Sequence, residues 1–185
     1  MKTLETERLI LRPWKLADLD DFYEYAKVEG VGEMAGWPHH TDKNITLRIL
    51  KSFIRNDNVY ALVLKENGKV IGSLGLHNNT FDRSRKESEQ RELGYTLSRD
   101  YWGKGLMPEA VNAAVKYAFE EMNIDILWCG HFEINKRSRR VIEKSGFRFY
   151  RKGRYFANQL DRTFDDMKYI MTRADYEETN NDNSL

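Results

Sequence analysis

Cysteine is almost missing from this chain: one residue, Cys129, among 185. A single thiol excludes an intrachain disulfide and any cysteine cage for zinc. No apolar run approaches the roughly 18 residues of a membrane span. The opening Met1-Lys2-Thr3-Leu4-Glu5-Thr6-Glu7 alternates charge where a secretory leader would be apolar. Excess charge of one sign is missing as well, since 30 Lys and Arg meet 29 Asp and Glu for a formal charge of +1. That balance argues against a general nucleic-acid binder and against a polybasic membrane binder. Internal repeats and low-complexity linkers are absent too. What remains, 41% hydrophobic and 32% charged residues, is the composition of a globular protein. The expectation is one cytoplasmic domain over residues 1–173 and a frayed Asn- and acid-rich tail over 174–185.

Apolar spacing supplies the elements. Arg8 to Arg12 reads as a strand closed by Pro13, and residues 16–29 and 42–55 read as amphipathic helices around a glycine-rich loop, Gly30 to His40. Val59–Leu64 and Val70–Leu76 flank Asn67-Gly68 and should pair as a hairpin, the Asn-Gly step tolerating the positive φ of a tight turn. Residues 78–90 are polar and long for a hairpin loop. Arg91–Ser98 reads as a third strand, with Leu93, Tyr95 and Leu97 on one face. A helix from Leu106 to Met122 follows, then a strand (126–133), a helix opened by Asn135, and two strands (147–156 and 164–171). Strands and helices mix without strict alternation, which points to an α+β fold with one mostly antiparallel sheet.

The junction Ser98 to Glu109 holds the strongest chemical signal. A strand ends, Gly103-Lys104-Gly105 turns, and a helix starts with Pro108 in its first turn, where a missing N–H costs nothing. Glycines allow close approach to backbone N–H groups, and the helix start favours an anion, so the junction describes a phosphate cradle. It is not a P-loop, because the Gly-x-x-x-x-Gly-Lys-Ser/Thr spacing is absent. Nor is it a dinucleotide fingerprint, since Pro108 stands where the third Gly belongs and Asp125 opens the next strand rather than closing it. Further along, Asn135 suits a helix cap with Ser138 three residues inside, and Lys136, Arg137, Arg139, Arg140 and Lys144 could meet a polyanion.

Read together, Glu92-Leu93-Gly94-Tyr95, Tyr101-Trp102-Gly103-Lys104-Gly105-Leu106, and Asn135-x-x-Ser138 with Glu143-Lys144-x-Gly146-Phe147 resemble the GNAT superfamily of N-acetyltransferases. Within it the pattern is similar to the RimJ/RimL group, the ribosomal-protein N-terminal acetyltransferases and their relatives. Leu4 to Arg12 and Gly36-Trp37-Pro38-His39 are similar to stretches of that group as well, so the resemblance spans about residues 4–172.

The resemblance implies a twisted sheet of about seven strands, helices on both faces, and a splay between the strand ending near Ser98 and the strand starting near Ile126. It implies acetyl-CoA as cosubstrate in that gap, without a metal. The backbone of Trp102, Gly103, Lys104, Gly105, Leu106 and Met107 would take its pyrophosphate. Its pantetheine arm would run along Tyr95, Thr96 and Leu97, with Asn135 and Ser138 bonding to it. Transfer would be direct to an amine acceptor, a protein N-terminus or a small molecule, with no nucleic-acid or membrane partner, by a monomer or homodimer. A backbone N–H near Leu97 would donate to the acyl oxygen. The tyrosine that many superfamily members use toward the thiolate is replaced by Ile142, so Ser138 is the candidate acid. The glutamate of the ribosomal-protein members has no match in residues 155–160. Glu92 is the first candidate base, with His77, His39, His131, Glu133 or a water chain as alternatives. Cys129, mid-strand, reads as a core residue. The early helices, the Gly30–His40 loop (with Met34 and Trp37), the 78–90 loop and the last hairpin should choose the acceptor. Two functional readings stay open: a working N-acetyltransferase, or a catalytically silent CoA-binding sensor or scaffold.

Overall fold

Eight strands and five α-helices form in the computed structural model, which describes residues 1–79 and 81–182. In chain order they are β1 (Leu4–Glu5), β2 (Leu9–Pro13), α1 (Leu19–Ala26), α2 (Lys43–Asn56), β3 (Val59–Leu64), β4 (Val70–Asn78), β5 (Gln90–Leu97), α3 (Leu106–Glu120), β6 (Ile126–Phe132), α4 (Lys136–Lys144), β7 (Arg148–Ala157), β8 (Arg162–Thr172) and α5 (Arg173–Asp182). The strands join in one sheet, β1-β2-β3-β4-β5-β6-β8-β7. Every neighbouring pair is antiparallel except β5 and β6, which the α3 crossover makes parallel. No helix among the described residues is long and apolar enough to cross a membrane.

Strand alternation gives the sheet two apolar faces. On one, Leu9, Leu11, Tyr60, Leu62, Leu74, Leu76, Leu93 and Leu97 pack with eight buried residues of α3, among them Ala110, Ala114, Ala118 and Phe119. Small alanines at helical spacing let α3 lie close to the sheet, and Ile142 and Phe147 bring α4 onto the same face. On the other, Val59, Ala61, Val63 and Val70 pack with Phe22, Tyr25 and Ala26 of α1 and Leu50 of α2.

Three expectations need correction. The sheet has eight strands rather than about seven, because Leu4 and Glu5 pair with Leu11 and Ile10, a strand too short for periodicity to show. In the β3–β4 turn only Gly68 takes a positive φ (73°); Asn67 instead accepts the Lys69 N–H on its side-chain oxygen, and a register shift at Leu62/Val63 absorbs the mismatch. The segment from 174, expected to fray, carries α5 through Asp182. Asp175 accepts from the Thr172 amide and pairs with Arg148, while Tyr176 stacks on Phe119. Residues 183–185 of that tail, and Thr80 of the 78–90 loop, lie outside the described residues.

The splay is where the resemblance puts it. The β5–β6 ladder runs from Gln90↔Ile126 to Leu93↔Cys129 and stops. Beyond that rung β5 stays with β4 as far as Gly72↔Leu97, and β6 stays with β8 as far as Phe132↔Asp166. At the far edge β7 is exposed along most of its length, showing Phe149, Tyr150, Tyr155 and Phe156 beside Arg148, Arg151, Lys152 and Arg154.

Gly72 makes close seating of β4 on β5 possible, since a Cβ there would fall 2.4 Å from the Thr96 carbonyl oxygen and 3.2 Å from Leu97 Cα. Gly72→Ala is expected to lower stability by about 1–3 kcal/mol in urea unfolding, the usual range for overpacking. Gly153→Ala, whose Cβ would meet nothing within 4 Å, should cost much less.

Candidate active site

A cleft of about 970 Å³ opens where β5 and β6 part. Glu92, Tyr95, Thr96, Leu97, Trp102, Gly103, Gly105, Leu106, Met107, Asn135 and Ser138 line it, as do Met34, His77, Asp166 and Lys168. Lys104 does not line it. Its ammonium sits over the Tyr101 ring at 5.0 Å, and its carbonyl accepts from Arg8 at 2.9 Å.

The glycine turn is shaped by backbone geometry. Gly103 and Gly105 take φ values of 77° and 75°, a left-handed region that side chains strain to enter. A Cβ on Gly103 would meet nothing within 4 Å, so the surface there is bare main chain. The Trp102 amide, expected to face the ligand, is taken by the Arg99 carbonyl at 3.2 Å. The amides of Gly103 through Met107 bond to no protein acceptor among the described residues, as the start of a helix requires. Arg8 clamps the turn from β2's side. It donates to the Lys104 carbonyl and pairs with Glu109, which also accepts from Thr6. Partial burial works against a charged Glu109, but hydrogen bonds from Thr6, the Arg8 amide and the Arg8 guanidinium hold its carboxyl below the usual range. The Trp102 indole donates to the Leu97 carbonyl at 2.9 Å, and Arg137 lies over its ring at 4.0 Å.

On the α3/α4 face Asn135 caps α4, its side-chain oxygen accepting from the Ser138 amide at 3.1 Å, while its NH2 reaches the Met34 carbonyl at 3.4 Å. Tyr95 hydroxyl and Ser138 Oγ lie 2.8 Å apart. Burial raises the Tyr95 pKa well above that of a free phenol, so this hydroxyl keeps its proton. Ile142 is buried in the core. Ser98 donates its N–H to Ile71 on β4, and strand alternation then turns the Leu97 N–H to the opposite side, into the gap.

On the α1/α2 face Glu92 lines the cleft with both oxygens engaged, Oε1 by Lys168 at 2.7 Å and Oε2 by Asn79 at 3.0 Å. Lys168 also pairs with Asp166 at 3.6 Å. Burial disfavours its ammonium, but Glu92 and Asp166 outweigh that and hold its pKa above the ordinary lysine value. Gly130 leaves the room Lys168 needs, since a Cβ there would lie 3.1 Å from its Nζ. Sequence reasoning missed Lys168, Asp166 and Arg8, which reach the site across strand pairings between distant segments. The glycine at 130, mid-strand, was the one local sign of a close approach. His131 bonds Phe132 O and Tyr169 OH. His39 bonds Glu33, and Glu133 pairs with Lys152. Burial pushes the Cys129 thiol up to about 12, which makes it an inert core residue at neutral pH.

A sheet parted between two parallel strands, beside a glycine turn that opens a helix, is the frame of an acetyltransferase. The Acetyltransferase (GNAT) domain family matches residues 8–148, and the chain belongs to that family. It is 32% identical over 130 residues to a Bacillus licheniformis protein named uncharacterized N-acetyltransferase p20, covering 68% of this chain and 70% of that one. Its fold is similar to a GNAT-family acetyltransferase from Bacillus anthracis (TM-score 0.83, 21% identity, 94% of this chain and 99% of that one). It is also similar to the microcin C7 self immunity acetyltransferase MccE, solved in complex with acetyl-CoA and AMP (TM-score 0.74, 17% identity, 90% and 93% covered).

Burial lowers the pKa of His40 and of His131, and the walls of the cleft do the same for His77. The unfolded chain therefore binds these protons more readily than the folded one. Their stabilising effect is full above the ordinary histidine pKa of about 6.5 and is lost as pH falls below it. The melting temperature is expected to drop between pH 7.5 and 5.5. A flat profile across that window, measured by calorimetry, would contradict the assignment. Glu33, Glu109 and Asp175 are held below their ordinary values by hydrogen bonds that outweigh burial, so their stabilising effect is full across this window and is lost only in more acid solution, below the ordinary carboxylate range.

Proposed function

We propose that the protein moves an acetyl group from acetyl-CoA directly to a primary amine, that of a protein N-terminus or a small molecule, and that it does so in the cytoplasm as a RimJ/RimL-like enzyme. The observation that carries this reading is the juxtaposition of the β5–β6 gap with five main-chain amides, Gly103 to Met107, that have no protein acceptor among the described residues. A diphosphate suits that bare turn at a helix start. An extended pantetheine arm suits the gap side of Tyr95 to Leu97, where β5 has lost its β6 partner, and Asn135 and Ser138 border the same space.

Bound there, acetyl-CoA supplies an activated acyl carbon. The chain's own groups handle charge and protons around it. The Leu97 N–H, turned into the gap, donates to the acyl oxygen as negative charge grows. The Tyr95 hydroxyl has two acceptors in reach, the Ser138 carbonyl at 3.2 Å and Ser138 Oγ at 2.8 Å. When it donates to Oγ, the serine hydroxyl is free to donate to the departing sulfur in place of the tyrosine that Ile142 replaces. Glu92 and Asp166 give the acceptor end an anionic character suited to an ammonium, partly offset by Lys168. Residues 155–160 offer no glutamate, so nothing in this hairpin singles out a ribosomal acceptor.

Calorimetry with acetyl-CoA tests the binding, and mass spectrometry with labelled acetyl-CoA over peptides and small amines tests the transfer. Binding without transfer across that panel would favour the silent sensor or scaffold reading. Gly105→Val is expected to abolish acetyl-CoA binding by the folded protein, because a β-branched side chain cannot hold φ near 75°. Ser138→Ala should lower turnover at least about 10²-fold with little change in acetyl-CoA affinity, the lower end of the general-acid range. Unchanged turnover would remove Ser138 as the acid.

A further inference from the structure

Of the four histidines, three are tied down. His39 bonds Glu33, His40 bonds Thr46, and His131 bonds at both ring nitrogens. The His77 ring makes no hydrogen bond among the described residues, yet it lines the cleft. Its seat is built. His77 faces Glu92 across β4–β5, and the next pair on the same face is Gly75↔Gly94. A Cβ on Gly75 would fall 2.3 Å from His77 Nε2, and one on Gly94 would lie 3.7 Å from the same atom. Two missing side chains thus make a bed for the imidazole. Gly94 is also the first β5 residue past the last rung to β6, so the ring lies at the head of the gap.

The charged neighbours are otherwise committed. Glu92 is held by Lys168 and Asn79, and a proton placed on it would weaken its pairing with Lys168. Asp166 on β8 faces the same ammonium. We propose that His77 is the group that takes the proton from the incoming amine, with Glu92 as the fixed anion that favours the resulting imidazolium. This rests on the acetyl-transfer reading above.

The protons balance. The acceptor ammonium gives one proton to His77 Nε2 and keeps a lone pair. That pair forms the C–N bond to the acyl carbon, the C–S bond breaks, and its electrons leave on sulfur. The nitrogen's second proton matches the one the thiolate gains, and the imidazolium returns its proton to water. His77 is exposed at the mouth of the cleft. Packing of its ring against the cleft floor lowers its pKa while Glu92 opposes the shift, so the ring is unprotonated and able to accept at neutral pH. An α-amine, with a pKa of about 7.7–8.0, yields its proton to imidazole more readily than a lysine side chain at about 10.4.

The test compares wild type, H77Q and H77A with acetyl-CoA, using as acceptors hexapeptides with free N-termini and tyramine. NMR titration of the histidine ring carbons, with the His77 signal assigned by its absence in H77Q, should give a pKa below about 6.5. The wild-type kcat/KM should rise with pH through that same value. H77Q should lose that inflection and about 10²–10⁴-fold in turnover, while binding acetyl-CoA with wild-type affinity in calorimetry. Free imidazole should restore part of the H77A turnover. A wild type that transfers acetyl groups and an H77Q protein with the same pH profile would overturn this assignment and leave the transfer standing. A wild type that does not bind acetyl-CoA would overturn the transfer reading, and His77's role with it.

Discussion

Hydrogen bonding between β5 and β6 lasts four residue pairs, and the site follows from where it ends. Main-chain N–H and C=O groups inside a sheet are obligatory hydrogen-bonding groups, so strands that part in mid-sheet leave a row of them for water or a ligand. Each strand is kept straight by its other neighbour. β4 holds β5 through seven pairs, and β8 holds β6 through seven. An edge has been created in the interior of a sheet, where flanking helices limit what can reach it.

That interior edge divides the chemistry by face. Alternation along β5 sends Tyr95 toward α4 and Ser138, and sends Glu92 and Gly94 toward the α1/α2 side with His77. The Tyr95–Ser138 pair and the Glu92–His77 pair, to which the proposed reading gives the sulfur and the amine, thus lie on opposite faces of one sheet. The glycine turn is fixed independently, by an arginine just before the second strand rather than by its own short sequence. Arg8 and Glu109 form a paired contact that couples β2, the turn and the first turn of α3.

The elements were legible because their apolar periods are clean. Leu93, Tyr95 and Leu97 share a face, and the apolar run from Leu106 gives α3 its buried stripe. Gly103 and Gly105 announced the turn, and Asn135 announced its cap. What stayed hidden depends on pairings between distant segments. No local pattern brings Lys168 to Glu92, 76 residues earlier, or Arg8 to the turn 96 residues later. Periodicity could mark Glu92 as facing the gap, but it could not show that both oxygens would be engaged. α5 was missed for a related reason. Its composition is that of a frayed end, and its order comes from Arg148 and Phe119.

The exposed β7 has a consequence for handling the protein. A ten-residue strand at the rim of a sheet offers unpaired main chain to any other strand, and here Phe149, Tyr150, Tyr155 and Phe156 add sticky surface. Of the four cationic residues interleaved with those rings, Arg148 and Lys152 are paired with Asp175 and Glu133, so Arg151 and Arg154 chiefly set like charge against like when two such rims approach. That repulsion acts through solvent and shortens with the Debye length, from about 10 Å at 0.1 M salt to about 3 Å at 1 M. Self-association through this rim is therefore an ionic-strength matter, governed by arginine and lysine spacing rather than by the chemistry of the cleft.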